Sequence, residues 1–238
     1  MSQPGVFLTA EWRNLAIFNY VVDPVLLAPF VPAGTELDFF EGHTYVSLIG
    51  FEFNRTRVMG FSVPFHRSFE EVNLRFYVRR SSHRGVVFIR ELVPRLAIAA
   101  VARVAFGENY SQTAMSHRVS VQPDCGPVRA EFSWGNREHR CAMQIETEGG
   151  AAVPPDGSLG QFITEHYWGY TAQRDGGSLE YEVQHPRWPV LSAKRAEFVG
   201  NATHFYGPEF AGILSRLPDS AFFAEGSAVT VFRGRRIA

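Results

Sequence analysis

Glu71, Asn73, Arg75 and Tyr77 alternate with Val72, Leu74, Phe76 and Val78, and a period of two places the four polar side chains on one face of a strand. They offer a carboxylate, an amide, a guanidinium and a phenol. In a barrel interior such a set orients a small polar ligand, with the planar fork of Arg75 gripping a carboxylate and Glu71 balancing its charge. The same alternation also describes a strand with one wet face, so both placements stand. Glu91 and Glu108 are acid/base candidates if buried, because desolvation lifts a carboxyl pKa toward neutrality; at the surface they are ordinary solvated side chains. Glu165 to Tyr170 gathers an acid, His166 and three aromatics, which suits either a ligand-contacting rim or a packed helix.

Other chemistries lack their residues. GxSxG, HExxH, GxGxxG and P-loop patterns are absent, which leaves a hydrolase elbow, a zincin and a nucleotide site without support. His139 and Cys141 form too small a set for a zinc site. No metal or cofactor is expected. The formal charge of −1 and pI near 6.7 provide no positive field for nucleic acid or anionic lipid, and Arg233, Arg235 and Arg236 read as a solvated tail. No apolar run is long enough to span a membrane. Two cysteines, Cys125 and Cys141, without CxxC spacing or an apparent signal segment, fit a reduced, cytoplasmic setting. The expected partner is a small molecule; a homo-oligomer is compatible with an exposed sheet edge.

Elements must position these residues. Trp12 to Val22 reads as a strand, with Asp23-Pro24 opening a short helix through Phe30. Glu36 to Phe40 and Thr44 to Phe53 read as a hairpin about Glu41-Gly42-His43. Glu71 to Val78 and Val86 to Val93 are strands, and the alanine-rich Arg95 to Phe106 a helix. Ser111 to Val121, Val128 to Trp134 and Arg140 to Thr147 are successive strands. Gly149 to Gly157 is a long loop within one domain of 238 residues. Ser158 to Gln161 has capping-box spacing for a helix carrying Phe162 through Tyr167. Leu179 to Val183, Leu191 to Val199 and Ala228 to Arg233 are strands, and Pro208 to Leu217 a helix.

Several segments, among them Phe7-Leu8-Thr9-Ala10-Glu11-Trp12-Arg13, Val31 to Asp38, Phe69 to Val78, Gly85 to Glu91, Glu165 to Tyr170, His185-Pro186-Arg187-Trp188 and Ala224 to Ser227, resemble the YqjF-like family of uncharacterised proteins in the acetoacetate decarboxylase-like superfamily. The resemblance implies a mainly β (α+β) fold, an antiparallel β-barrel or cone with a few short peripheral helices and an apolar internal pocket. It also implies that Arg13 inherits the position of an arginine lining the active site. Where the superfamily's catalytic lysine pair would fall stands Asn109-Tyr110-Ser111, which brings Tyr110 among the ligand-binding candidates. Acetoacetate decarboxylase, the general example of a lysine activated by a neighbouring cation, condenses an amine with its ketone. This chain has 22 arginines and a single lysine, Lys194, in another segment, and guanidinium is no substitute. A Schiff-base decarboxylase is therefore not expected.

The leading expectation is binding of a small organic acid or carbonyl compound by Arg13, Glu71, Asn73, Arg75, Tyr110 and His166. A lysine-independent acid/base enzyme using Glu91 or Glu108 on a carbonyl or lactone, and a non-catalytic scaffold with a filled barrel, are the alternatives.

Overall fold

The computed structural model describes residues 5–62, 67–95, 107, 109–121 and 126–238. Its strands are β1 (Val6–Val22), β2 (Glu36–Leu37), β3 (Thr44–Val58), β4 (Phe61–Ser62), β5 (Phe69–Arg80), β6 (His83–Val93), β7 (Tyr110–Gln112), β8 (Met115–Val121), β9 (Val128–Gly135), β10 (Arg140–Ala152), β11 (Trp168–Ala172), β12 (Ser178–Gln184), β13 (Val190–Gly200), β14 (Ser220–Phe232) and β15 (Arg235–Arg236). The helices are α1 (Pro24–Leu27), followed by a 3-10 turn over Ala28–Phe30, α2 (Leu159–Thr164), α3 (Thr203–Tyr206) and α4 (Pro208–Leu214).

All the described strands join one sheet, ordered β15-β12-β11-β6-β5-β3-β1-β14-β13-β10-β9-β8, with β2, β4 and β7 attached at its side. A further pairing of β12 with β14, through Val183–Val231 and Gln184–Thr230, closes seven strands into a ring. The result is ring-like rather than a clean barrel. Beyond β14 the sheet continues as β13, β10, β9 and β8, which pack against the outside of the ring. Most pairings are antiparallel, but β6 pairs in parallel with β11 and β7.

Two apolar cores follow from period-2 alternation on the ring strands. Outward side chains such as Phe18, Leu48, Val72, Leu74 and Phe76 meet Phe132, Trp134, Met143 and Ile145 of the outer layer, together with α3 and α4. Inward ones such as Leu15, Ile49, Phe51, Phe53, Phe69 and Tyr77 gather inside the ring. Gly50 permits the close approach of the layers, since a Cβ there would stand 2.8 Å from the Phe132 ring and 2.9 Å from Met143 Sδ.

Local expectations were met unevenly. The Asp23 carboxylate accepts from Val25 N at 2.8 Å and caps α1. The hairpin of Glu36 to Phe40 with Thr44 to Phe53 is not formed. Only a Phe40–His43 bridge forms, at its turn, and β2 pairs instead with β5, extended by Asp38 N donating to Tyr77 O. Ser111 to Val121 divides into β7 and β8, and β10 runs on into the anticipated loop as far as Ala152. The helix expected over 95–106 falls, beyond Arg95, outside the described residues. No helix among the described residues is long and apolar enough to cross a membrane.

Candidate functional site

Inside the ring lies a cavity of about 170 Å³. That is close to the roughly 150 Å³ of an engineered apolar cavity able to hold benzene. Trp12, Phe51, Phe53, Phe69 and Trp188 supply much of its apolar wall. The polar wall is built on β5, whose inward face presents Glu71, Asn73 and Arg75. Glu71 and Asn73 are only 2% and 3% exposed, so the wet-face alternative does not describe this strand. Its opposite face, Val72, Leu74, Phe76 and Val78, is buried as well.

Neighbouring strands extend the polar row. Glu91 of β6 stands opposite Asn73, and Tyr110 of β7 is in register with Glu91. Glu71 and Glu91 are thus diagonal neighbours, at a Cβ spacing of about 7–8 Å or somewhat less. The Glu71 carboxylate accepts from Asn73 Nδ2 at 3.0 Å and from the Tyr110 hydroxyl at 3.1 Å. It forms no ion pair among the described residues. Burial pushes its pKa up to about 7, against the hydrogen bonds of Asn73 and Tyr110 and the charge of Arg75.

Arg75 donates from one terminal nitrogen to Ile163 O at 3.2 Å and lies 5.6 Å from the centre of the Tyr77 ring. It forms no salt bridge among the described residues, and its Nε is buried without a hydrogen-bond partner there. Asn73 Oδ1 and Trp12 Nε1 are in the same condition. Buried polar atoms are rarely left so, and all three residues line one cavity. Tyr77, on the same strand face, is engaged elsewhere: Ser47 Oγ donates to Asn19 Oδ1 at 2.6 Å, which leaves the Tyr77 hydroxyl donating to Ser47 at 2.5 Å.

His166 also lines the cavity, its ring centre 4.6 Å from that of Tyr77. The helix expected to carry it ends at Thr164, with Ser158 Oγ accepting from Gln161 N at 3.3 Å, so His166 sits on the connection to β11. Arg84, fixed to Asp38 at 2.7 Å, approaches His166 Nε2 at 3.4 Å; because arginine only donates, the ring proton falls on Nδ1. Burial, then the charges of Arg84 and Arg75, hold the imidazole well below its ordinary pKa against the Ile163 carbonyl, and it is neutral at pH 7.

Arg13 requires correction. It is not part of the cavity wall: Trp12 points in, so Arg13 points out, and its guanidinium pairs with Glu11 at 3.1 Å and Glu225 at 3.5 Å. Asn14, at φ 57°, then inserts the irregularity that returns Leu15 to the interior. Glu108 lies outside the described residues, whereas Glu91 is 2% exposed on the wall. Lys194 is exposed on β13 and does not line the cavity. Sequence reasoning missed the aromatic wall and His185, which stacks on Trp188 at 4.1 Å. The only sequence signal for them was the His185-Pro186-Arg187-Trp188 segment.

The fold places the chain in a recognised class. The enduracididine biosynthesis enzyme MppR, complexed with pyruvate, superposes with a TM-score of 0.71 at 13% identity, over 100% of this chain and 92% of MppR. An acetoacetate decarboxylase-like enzyme from Sphingomonas wittichii RW1 superposes with a TM-score of 0.71 at 10% identity, over 99% and 94% of the two chains. At such identities the likeness establishes an acetoacetate decarboxylase-like fold. The profile of DUF2071, described as an uncharacterized conserved protein, matches residues 9–228, and the chain belongs to that family. The uncharacterized protein YqjF of Bacillus subtilis (strain 168) is 27% identical over 213 residues, covering 85% of this chain and 83% of YqjF.

Proposed function

We propose that the ring cavity binds a small organic acid or carbonyl compound, holding its carboxylate on Arg75 and using no Schiff base. The observation that carries this reading is Arg75 itself: a half-buried guanidinium on the wall of an apolar cavity, with no salt bridge among the described residues and a buried, unpartnered Nε. A desolvated cation of this kind is stabilised by an anionic ligand with matching planar geometry. The aromatic wall would take the ligand's apolar body. The chain's only lysine is exposed on β13, which leaves the cavity without a lysine amine. MppR, of the same fold, is complexed with an oxo acid, pyruvate, and this is consistent with the proposed ligand class. The open volume also argues against a scaffold whose interior is filled by side chains.

Ligand-detected NMR with pyruvate, 2-oxobutyrate and levulinate tests the proposal. At least one probe binds the wild type, and Arg75→Met weakens that binding by about 30–100-fold, the loss of one charge-assisted hydrogen-bonding group. Equal binding by Arg75→Met, or no binding of any probe by the wild type, contradicts it.

A further inference from the structure

A site that only held an anion would gain nothing from buried acids beside its arginine, since each must be desolvated and, once ionised, repels the ligand. Yet Glu71 and Glu91 both lie on this wall, each 2% exposed. Glu71 is the more informative, because among the described residues its only hydrogen bonds come from Asn73 Nδ2 and the Tyr110 hydroxyl. Both neighbours are neutral donors. They orient the carboxyl without forming an ion pair, and Arg75 acts on it only through its charge, the arrangement of a group that exchanges a proton rather than one that anchors an ion pair.

Resting on the reading of the cavity as an oxo-acid site, we infer that Glu71 is a catalytic acid/base that removes and returns a proton on the carbon next to the bound ligand's carbonyl. Arg75, Asn73 and Glu71 follow one another along the inward face of β5, so a ligand held by its carboxylate on Arg75 and lying along the strand presents its carbonyl and the adjacent carbon on the side of Asn73 and Glu71. In the forward step the C–H bond breaks and its electron pair forms the C=C bond of an enolate. The carbonyl π pair moves to oxygen, and the proton passes to a Glu71 carboxylate oxygen. Asn73, which keeps a second amide N–H beyond the one given to Glu71, is a neutral donor on the same wall for the enolate oxygen. Reversal returns a proton, and after exchange with solvent it is a solvent proton. No oxidant, reductant or co-reactant is consumed. Among the described residues, the charged and titratable groups that line the cavity with Glu71 are Arg75 on its own strand, Glu91 from β6, Tyr110 from β7, Tyr181 from β12, and His166 and His185. Burial, opposed by the hydrogen bonds of Asn73 and Tyr110 and by the charge of Arg75, gives a carboxyl titrating at about 7, matched to proton transfer near neutrality.

The experiment follows the α-protons of pyruvate, 2-oxobutyrate and levulinate by proton NMR in deuterated buffer, with binding measured on the same samples. The wild type exchanges the α-protons of a bound probe faster than buffer does, and Glu71→Gln slows this by about 10²–10⁴-fold while still binding the probe. A probe that binds the wild type without exchange above buffer overturns the inference and leaves the binding proposal intact; so does Glu71→Gln exchanging at the wild-type rate. No binding by any probe overturns both. Should Glu71→Gln fail to fold, Tyr110→Phe decides: loss of its hydrogen bond moves the pH midpoint of exchange upward, and an unmoved midpoint contradicts the role of Glu71.

Discussion

Glu71 is a carboxyl group in a place that disfavours its charge, and this makes it visible in stability as well as in chemistry. Its pKa is raised from 4.5 to about 7, chiefly by burial, so the folded protein holds the proton more tightly than the unfolded chain. The stabilisation this provides is fully present below about pH 4.5 and is lost as pH rises through about 7. Glutamine keeps the neutral shape and escapes that loss. Glu71→Gln therefore gains on the wild type between pH 5 and pH 8.5 by on the order of 2–3 kcal/mol, measured by denaturant unfolding at the two pH values; a pH-independent difference would contradict the assignment. Arg13 and Arg75 form the second contrast. Arg13 is held at the rim of the fold by Glu11 and Glu225, and exposed pairs of this kind contribute about 0–1 kcal/mol. Arg13→Ala accordingly changes stability by less than about 1 kcal/mol and leaves probe affinity unchanged, whereas Arg75→Met loses the probe.

The elements explain why one strand of the site was legible and the rest was not. β5 is regular through its inward residues, so simple alternation placed Glu71, Asn73 and Arg75 together. On β1 the same logic depends on Asn14, whose positive φ shifts the alternation and which nothing in residue type announces. The failed hairpin has a similar cause: β2 exchanges a local partner for a distant one, because Asp38 is drawn toward Tyr77 O and Arg84. His166 was identified but assigned to a helix, which in fact ends two residues earlier. The aromatic wall combines residues from β1, β3, β5 and the β12–β13 connection, and such convergence is set by ring closure, not by local pattern. Gly50 tests how tightly the outer layer is fitted to the ring. Gly50→Ala places a methyl against Phe132 and Met143 and costs about 1–3 kcal/mol, read as a lowered denaturant midpoint; an unchanged midpoint would mean that the layers give way freely.

For the whole molecule, the decisive feature is a ring of seven strands closed by β12 and β14 and held open inside by large aromatic groups. Near that closure Glu180 of β12 is fully buried and receives Arg235 Nε at 2.8 Å and the Tyr170 hydroxyl at 2.9 Å. Burial would raise its pKa, but Arg235 and Tyr170 outweigh it and hold the group below its ordinary value. Arg235, read in the sequence as part of a solvated tail, thus docks β15 onto β12. Arg235→Ala leaves a buried carboxylate with weaker compensation and destabilises the protein by about 1–3 kcal/mol, less than for a fully buried pair because Arg235 is half exposed. The loss is greatest above the ordinary glutamate pKa and shrinks as the carboxyl is protonated at lower pH, a trend that thermal unfolding at pH 7 and pH 4 would show or refute. In the proposed function the ring cavity is a carboxylate-binding site centred on Arg75. Titration of pyruvate, 2-oxobutyrate and levulinate into wild type, Arg75→Met and Arg13→Ala, followed by ligand-detected NMR, addresses it most directly. The wild type and Arg13→Ala bind the same probe alike, and Arg75→Met binds it about 30–100-fold more weakly. Undiminished binding by Arg75→Met, or loss only in Arg13→Ala, would contradict that role of Arg75.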